Sequence, residues 1–140
     1  MPLDGGAPVQ LAGITPTSGA ISPDGKLVAS FDLAERGANS KSIVIIPFEG
    51  GEAIKNISVP QNVNQDMLRW TADGLGVTYI DTRDGVSNIW VQPLDGSPSH
   101  QLTHFTSDQI YYFDWSRDGK LLACARGEPT SDIIMMSNLR

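Results

Sequence analysis

Apolar residues along the chain fall into short runs that are separated by polar segments. Three runs, at 27–31, 77–80 and 121–125, are each followed by a second run, at 43–46, 89–91 and 133–136. Such short, nearly continuous runs are typical of β-strands that are buried on both faces. The segments that connect the two runs of each pair are polar and vary in length. This predicts surface loops at 32–42, 81–88 and 126–132.

A polar turn precedes the first run of each pair and predicts a β-hairpin. The turns close on Asp24 and Gly25, on Asp73 and Gly74, and on Asp118 and Gly119, at intervals of 49 and 45 residues. Glycine allows a positive φ at the end of a turn, and the preceding aspartate can accept hydrogen bonds from the turn backbone. We therefore expect these six residues to be structural turn residues, with positive φ at each glycine.

A second phrase, a proline followed by an apolar residue, an acid and Gly, repeats between these turns. It occurs at 2–6, 47–51 and 93–97, and 138–140 forms a truncated fourth copy, at spacings of 45, 46 and 45 residues. Each full copy leads into a short predicted strand, at 9–11, 53–57 and 100–103. Repetition at a fixed period is the sequence signature of a repeat architecture.

Interleaving the two phrases gives four antiparallel strands about every 45 residues, which predicts the blade of a β-propeller. The expected fold class is all-β, with three blades' worth of sequence, half of a six-bladed ring. We assign 1–11 to an outer strand, 12–59 and 60–105 to whole blades, and 106–140 to a last blade that lacks its outer strand.

Charge and hydropathy narrow the classes of partner. The 140 residues include 40% hydrophobic residues, enough for a core, and carry a formal net charge of −6. An acidic chain is repelled by nucleic acid, so no nucleic-acid partner is expected. No apolar run approaches the ~20 residues that span a bilayer, so no membrane insertion is expected either, and the N-terminus does not resemble a signal peptide.

The Ser-Pro-Asp-Gly-Lys turn at 22–26, the turn at 115–120 and the Pro-Leu-Asp-Gly phrases resemble the repeat of TolB-like six-bladed propellers, also called WD40-like repeats. The segment 130–140 is further similar to the C-terminus of bacterial proteins that join a serine/threonine kinase or a winged-helix domain to such a propeller. This resemblance implies a sensor or interaction module of a signalling protein, extracytoplasmic if the parent is a membrane-anchored kinase. The residues alone leave the compartment open.

No constellation of residues indicates catalysis, a cofactor or a metal. The Gly-x-Ser-x-Gly motif of serine hydrolases is absent, although prolyl-oligopeptidase-type peptidases carry similar repeats, so a substrate-gating propeller is the alternative function. His100 and His104 are four residues apart on or after a short strand, which does not match a helical zinc pair. Cys124 lies in an apolar run and is expected to be a small buried residue.

Two charged residues are candidates for a ligand site. Arg69 and Asp114 each precede a strand-ending tryptophan, at the repeat position of Ala20. Because the first strand of a propeller blade lines the central channel, both are candidate channel-lining residues. We nevertheless expect an inter-blade hydrogen bond or ion pair at these two residues rather than a ligand site, because structural pairs also explain such charges. Likewise, Trp70, Trp90 and Trp115 are expected to pack blades together rather than form an aromatic binding site.

The strand count predicts that three blades need further blades to close a ring. The remaining blades would lie on a longer chain, or two copies would form a homodimer that completes a six-bladed ring. The expected ligand is a protein or a small molecule of unknown identity. A three-bladed chain alone would expose blade faces and an unpaired strand edge.

Overall fold

The computed structural model describes residues 16–32 and 41–129, and every regular element in these residues is a β-strand. The predicted strands at 9–11 and 133–136 lie outside the described residues. The ten strands are β1 (Pro16–Ile21), β2 (Leu27–Asp32), β3 (Lys41–Pro47), β4 (Lys55–Val59), β5 (Val63–Trp70), β6 (Gly76–Arg83), β7 (Val86–Pro93), β8 (His100–Gln101), β9 (Gln109–Trp115) and β10 (Leu122–Gly127).

The strands form three antiparallel sheets whose strand order follows the sequence. Strands β1 to β4 form the first sheet and β5 to β8 the second, while β9 pairs with β10 in the third. We call these sheets blade 1, blade 2 and blade 3. The prediction of an all-β fold made of four-stranded antiparallel sheets is confirmed by the first two.

One predicted loop is wrong, because the two central strands of blade 2 are longer than their apolar runs. The segment 81–88 was expected to be a surface loop, but β6 continues to Arg83 and β7 begins at Val86. Asp84 and Gly85 alone make the turn, with φ of 50° and 80°. Two positive φ values define the hairpin turn that matches strand twist, and they favour Asp-Gly. Because the ends of these two strands are polar, the pattern of apolar runs did not predict this hairpin.

Two apolar cores hold neighbouring blades together. The first joins Ala29, Phe31 and Ile43 of blade 1 to Leu68 and Tyr79 of blade 2, among others. The second core lies between blades 2 and 3 and contains Ile80, Ile89, Ile110 and Phe113. Burying each large apolar side chain stabilises the fold by about 1.5 to 3 kcal/mol, so these cores set the relative position of the blades.

The two faces of blade 3 differ in how far their side chains are buried. Leu122 and Cys124 pack against the second core, whereas Ala123, Ala125 and Leu121 are exposed, with Leu121 at 71%. Strand alternation explains this difference, because successive side chains point to opposite faces of a sheet. The expectation that 121–125 is buried on both faces is therefore wrong for the face turned away from blade 2. In blade 1, by contrast, Val44 and Ile46 are buried on the face turned away from blade 2.

Candidate functional site

The three Asp-Gly turns have the same hydrogen bonds. In blade 1 the Ser22 hydroxyl donates to Asp24 Oδ1 at 2.6 Å, and the Lys26 N–H donates to the same oxygen at 3.1 Å. The Ser22 oxygen in turn accepts the Leu27 N–H at 2.9 Å. Gly25, Gly74 and Gly119 have φ of 75°, 71° and 68°, which confirms the predicted left-handed backbone at all three.

Threonine takes the place of serine in the second turn without changing the network. Thr71 Oγ1 donates to Asp73 Oδ1 at 2.5 Å and accepts the Gly76 N–H at 3.0 Å. In the third turn, Ser116 donates to Asp118 at 2.7 Å. The departure of this second turn from the Ser-containing pattern is therefore conservative in hydrogen bonding.

These bonds lower the pKa of each turn aspartate. The hydroxyls of Ser22, Thr71 and Ser116 are the main cause for Asp24, Asp73 and Asp118 respectively, and the backbone N–H two residues after each aspartate adds to it. A donor that faces a carboxylate favours its ionised form. The turns are therefore held by charged aspartates.

Acid is expected to weaken the turns in a defined pH range. Because the pKa of Asp118 in the folded protein lies below its ordinary value of 3.8, its stabilising effect is present above about pH 3.8 and is lost as the pH falls through the folded pKa. The measurement is the urea midpoint of wild type and Asp118→Asn from about pH 6 to about pH 2. We expect the deficit of the variant to shrink below pH 3.8. A deficit that is constant over this range would contradict the role of the charge.

The two strand-ending tryptophans join each blade to the preceding one. Trp70 Nε1 donates to the backbone oxygen of Ala20 at 2.8 Å, and Trp115 Nε1 donates to Thr78 Oγ1 at 3.3 Å. The third tryptophan, Trp90, packs at the edge of the first core. These contacts give all three tryptophans a packing role between or within blades, as the sequence analysis favoured.

Arg69 and Asp114, the two candidate residues, face each other across blades 2 and 3. Arg69 Nε lies 3.4 Å from Asp114 Oδ1. Tyr112 completes a triad, because its hydroxyl donates to Asp114 Oδ2 at 3.2 Å and accepts from Arg69 Nη2 at 3.4 Å. The sequence analysis missed Tyr112, although it lies two residues before Asp114 and alternation places the two on one face of β9. We call these three residues the charged triad.

Arg69 and Asp114 also line a cleft of about 380 Å³ where the first strands of the three blades end. Gly19 and Ala20 form its blade 1 side, and Arg117 in the turn of blade 3 adds a second positive charge. Because Ala20 is small where blades 2 and 3 carry Arg69 and Asp114, space remains beside the triad. We call this space the triad cleft. It combines apolar walls with charged groups, a common composition of ligand sites.

A second group of charged residues, Asp81 and Arg83, lies at the opposite end of blade 2, and its carboxylate is hydrogen-bonded within the protein. The buried carboxylate of Asp81 accepts a hydrogen bond from the Asn62 amide and two from Arg83, at 3.1 and 2.8 Å. The Asp81 carboxylate raises the pKa of Arg83. Since its partners come from β6 and the segment just before β5, this group fixes the strand ends.

The two histidines lie on and just after the outer strand of blade 2. His100 lies on β8 and His104 follows it, and both are exposed. Within residues 16–32 and 41–129, no group of three or more His, Cys, Asp or Glu side chains is arranged to hold a metal ion. Burial raises the pKa of the Cys124 thiol. In the same residues, no helix has the length and apolar character needed to cross a membrane.

Comparison with solved structures decides the architecture. A putative TolB from Agrobacterium tumefaciens superposes with a TM-score of 0.61 at 28% identity, over 83% of this chain and 40% of the other. The β-propeller domain of the Trilobed protease from Pyrococcus furiosus superposes with a TM-score of 0.56 at 21% identity, over 79% of this chain and 34% of that one. The chain has a β-propeller fold. TolB from Acinetobacter baumannii superposes on it as well, with a TM-score of 0.59 at 20% identity, over 86% of this chain and 28% of that one.

Sequence comparison finds two relatives that are peptidases by name. Tricorn protease homolog 1 of Streptomyces coelicolor is 34% identical over 101 residues, which are 72% of this chain and 9% of the relative. Dipeptidyl-peptidase 5 of Porphyromonas gingivalis is 27% identical over 105 residues, 73% of this chain and 15% of the relative. The propeller therefore spans only a small part of these relatives, and no family model matches it.

Proposed function

We propose that this propeller is a non-catalytic binding module of a larger bacterial protein and that its ligand contacts the triad cleft. The observation that supports this most directly is the placement of opposite charges, Arg69 and Asp114, in a cleft that all three blades line. The link to a kinase or winged-helix signalling protein rests on the resemblance of 130–140 alone. Neither curated relative named above is a kinase or a winged-helix protein by name.

The charged triad can exchange its internal contacts for contacts with a ligand. The side chain of Arg69 is 31% exposed, and it contacts Asp114, Tyr112 and the Leu68 carbonyl. A guanidinium has five N–H donors, so it has donors for a ligand as well. A partly exposed ion pair contributes only about 0.2 to 1 kcal/mol, and replacing it by a ligand contact costs little.

The second candidate function is the substrate-gating propeller of a serine peptidase. It is favoured by the names of the two curated relatives, both of which are peptidases. In this case the catalytic domain would be another part of the parent protein, and the triad cleft would meet a peptide. The two functions differ in the expected ligand: a gating propeller would meet peptides of many sequences, and an interaction module would bind a particular partner.

Arginine side-chain NMR tests the triad cleft with defined probes. Tripeptides with free or amidated carboxyl ends and free or acetylated amino ends are added to the ¹⁵N-labelled chain. We expect at least one charged tripeptide to shift the Arg69 Nε–H signal, and Arg69→Gln to weaken its binding at least about tenfold, or 1.4 kcal/mol. Lys120→Gln is the matched control, because it removes a positive charge that lies outside the cleft.

Three outcomes of this titration separate the proposals. Binding that depends on Arg69 and is selective for one peptide terminus supports the triad cleft. Binding of equal strength in Arg69→Gln and wild type, or no shift with any probe, would contradict it as a small-ligand site. Arg69-dependent binding of all the tripeptides regardless of their termini would favour the peptidase alternative.

A further inference from the structure

Aspartate followed directly by glycine recurs along the part of the chain that the structure describes. Such a pair is chemically reactive, because the glycine nitrogen can attack the carboxyl carbon of the aspartate side chain and no Cβ on the glycine hinders its approach. The surroundings of these pairs differ, and the difference sets one pair apart. The aspartates concerned are Asp24, Asp73, Asp84, Asp95 and Asp118.

In the three repeated turns, hydrogen bonds hold both groups that would have to react. Each aspartate accepts a hydroxyl and a backbone N–H at one carboxylate oxygen. The N–H of each following glycine donates to the backbone oxygen three residues before it, at 2.8 to 2.9 Å. A carboxylate that accepts such bonds stays ionised, and an ionised carboxylate has no hydroxyl group to lose. These turns are therefore protected from the reaction.

The pair at Asp95 is protected at its carboxylate. Asp95 Oδ1 accepts the Ser97 N–H at 2.8 Å, and the hydrogen bonds from Ser97 lower the pKa of Asp95. The side-chain carboxyl of Asp95 is therefore also held in its ionised form.

The pair at Asp84 is held at neither group. Asp84 and Gly85 are both exposed and form the two-residue turn between β6 and β7. Among residues 16–32 and 41–129, neither the Asp84 carboxylate nor the Gly85 N–H has a hydrogen-bond partner. The two groups that would react are thus adjacent in the chain, exposed to water and not committed to other contacts.

We propose that Asp84 is a modification site at which aspartate isomerises spontaneously to isoaspartate. The Gly85 nitrogen bonds to Cγ of the protonated Asp84 carboxyl, and the hydrogen of this nitrogen leaves with the carboxyl OH as one water, which gives a cyclic imide. One water then adds to a carbonyl of the ring and breaks its bond to nitrogen. Addition at Cγ restores aspartate. Addition at the main-chain carbonyl leaves Gly85 attached through Cγ, which is isoaspartate, and no other reactant is consumed.

Isoaspartate at position 84 would change more than the turn. It adds one carbon to the main chain between Arg83 and Val86, which pair with each other across the hairpin. Arg83 also donates two hydrogen bonds to the buried carboxylate of Asp81. Moving Arg83 weakens these bonds, and a buried carboxylate that loses its cation destabilises the fold. The isomerised fraction, separated by ion exchange, should therefore unfold at a lower urea concentration than the unmodified fraction.

Peptide mapping of the aged chain tests the proposal. The purified chain is stored at mildly acidic pH, where part of each unprotected carboxyl is protonated, and isoaspartate is located by electron-transfer mass spectrometry of its peptides. We expect isoaspartate to form at Asp84 at least about tenfold faster than in the three repeated turns, because a hydrogen bond to a charged group must first break there. The chain in urea is the control, since unfolding removes these bonds and should make the rates similar.

Two variants link the rate to the hydrogen bonds. Ser116→Ala removes the hydroxyl that donates to Asp118, so it should raise the rate at Asp118 and leave that at Asp84 unchanged. Asp84→Glu should abolish the signal at position 84, because the longer side chain would have to close a larger ring.

The proposal fails if Asp84 isomerises no faster than Asp73 or Asp95 in the folded chain. A preference for Asp84 that persists in urea would also overturn it, because neighbouring residues and not the fold would then set the rate. An unchanged rate at Asp118 in Ser116→Ala would show that the hydrogen bonds do not protect the turns.

Discussion

Replacing Gly119 with alanine is expected to lower the free energy of unfolding by about 2 to 4 kcal/mol. Its φ of 68° lies in the left-handed region, which is strained for any residue with a side chain. In addition, a Cβ at this position would lie 2.2 Å from Ala72 Cβ, so the turns of blades 2 and 3 must move apart. Urea denaturation of the purified chain measures the loss.

Gly25→Ala is the matched control for the backbone contribution. Gly25 has a similar φ of 75°, but its added Cβ would meet nothing within 4 Å. We expect a loss of about 1 kcal/mol there, from the backbone alone. Combining Ala72→Gly with Gly119→Ala should restore about 1 kcal/mol or more in a double-mutant cycle. Equal losses at the two glycines, with no coupling to position 72, would show that the blades do not meet at this contact.

Phe113→Ala is expected to destabilise the protein by about 3 to 5 kcal/mol. The Phe113 side chain is fully buried in the second core, with Ile80 and Ile89 of blade 2 and Ile110 of its own strand. Removing it leaves a cavity at the junction that holds blade 3 to blade 2. For a domain with a net stability of about 5 to 15 kcal/mol, this is a large fraction of the total, and the midpoint of urea unfolding should fall accordingly.

Tyr111→Ala is the control on the same strand. Tyr111 is 53% exposed, so its truncation removes a ring of similar size from β9 without opening the second core. We expect its free energy of unfolding to change by about 0.5 kcal/mol or little more. A comparable loss in both variants would mean that strand propensity, and not the core between blades 2 and 3, determines the cost of changing β9.

The repeated parts of the fold were predictable from sequence because they depend on local chemistry. Asp24 and Gly25 with their counterparts predicted the turns, since an aspartate acceptor and a residue with positive φ are required within a few residues of each other. The apolar runs predicted the central strands because a strand that is buried on both faces needs consecutive apolar residues. The β-propeller architecture followed from the period, which the comparisons with solved propellers support.

The parts that the sequence did not predict depend on contacts between distant segments or on polar strand ends. Arg69 and Asp114 were singled out by their repeat position, but their partner Tyr112 became evident only when β5 and β9 were side by side. The hairpin at Asp84 and Gly85 was predicted as a longer loop because Asp81 is polar. Asp81 is nevertheless buried, because its carboxylate is hydrogen-bonded to Asn62 and Arg83. No pattern of apolar residues indicates these contacts.

The two tryptophan contacts between blades differ in how much sequence change they tolerate. Trp70 bonds to the backbone oxygen of Ala20, and every amino acid supplies that acceptor. Trp115 bonds to the hydroxyl of Thr78, so only serine or threonine at position 78 keeps it. Substitutions at position 20, which lines the triad cleft and packs against the first core, can therefore retain this hydrogen bond between blades 1 and 2. The hydrogen bond between blades 2 and 3 does not tolerate such substitutions at position 78.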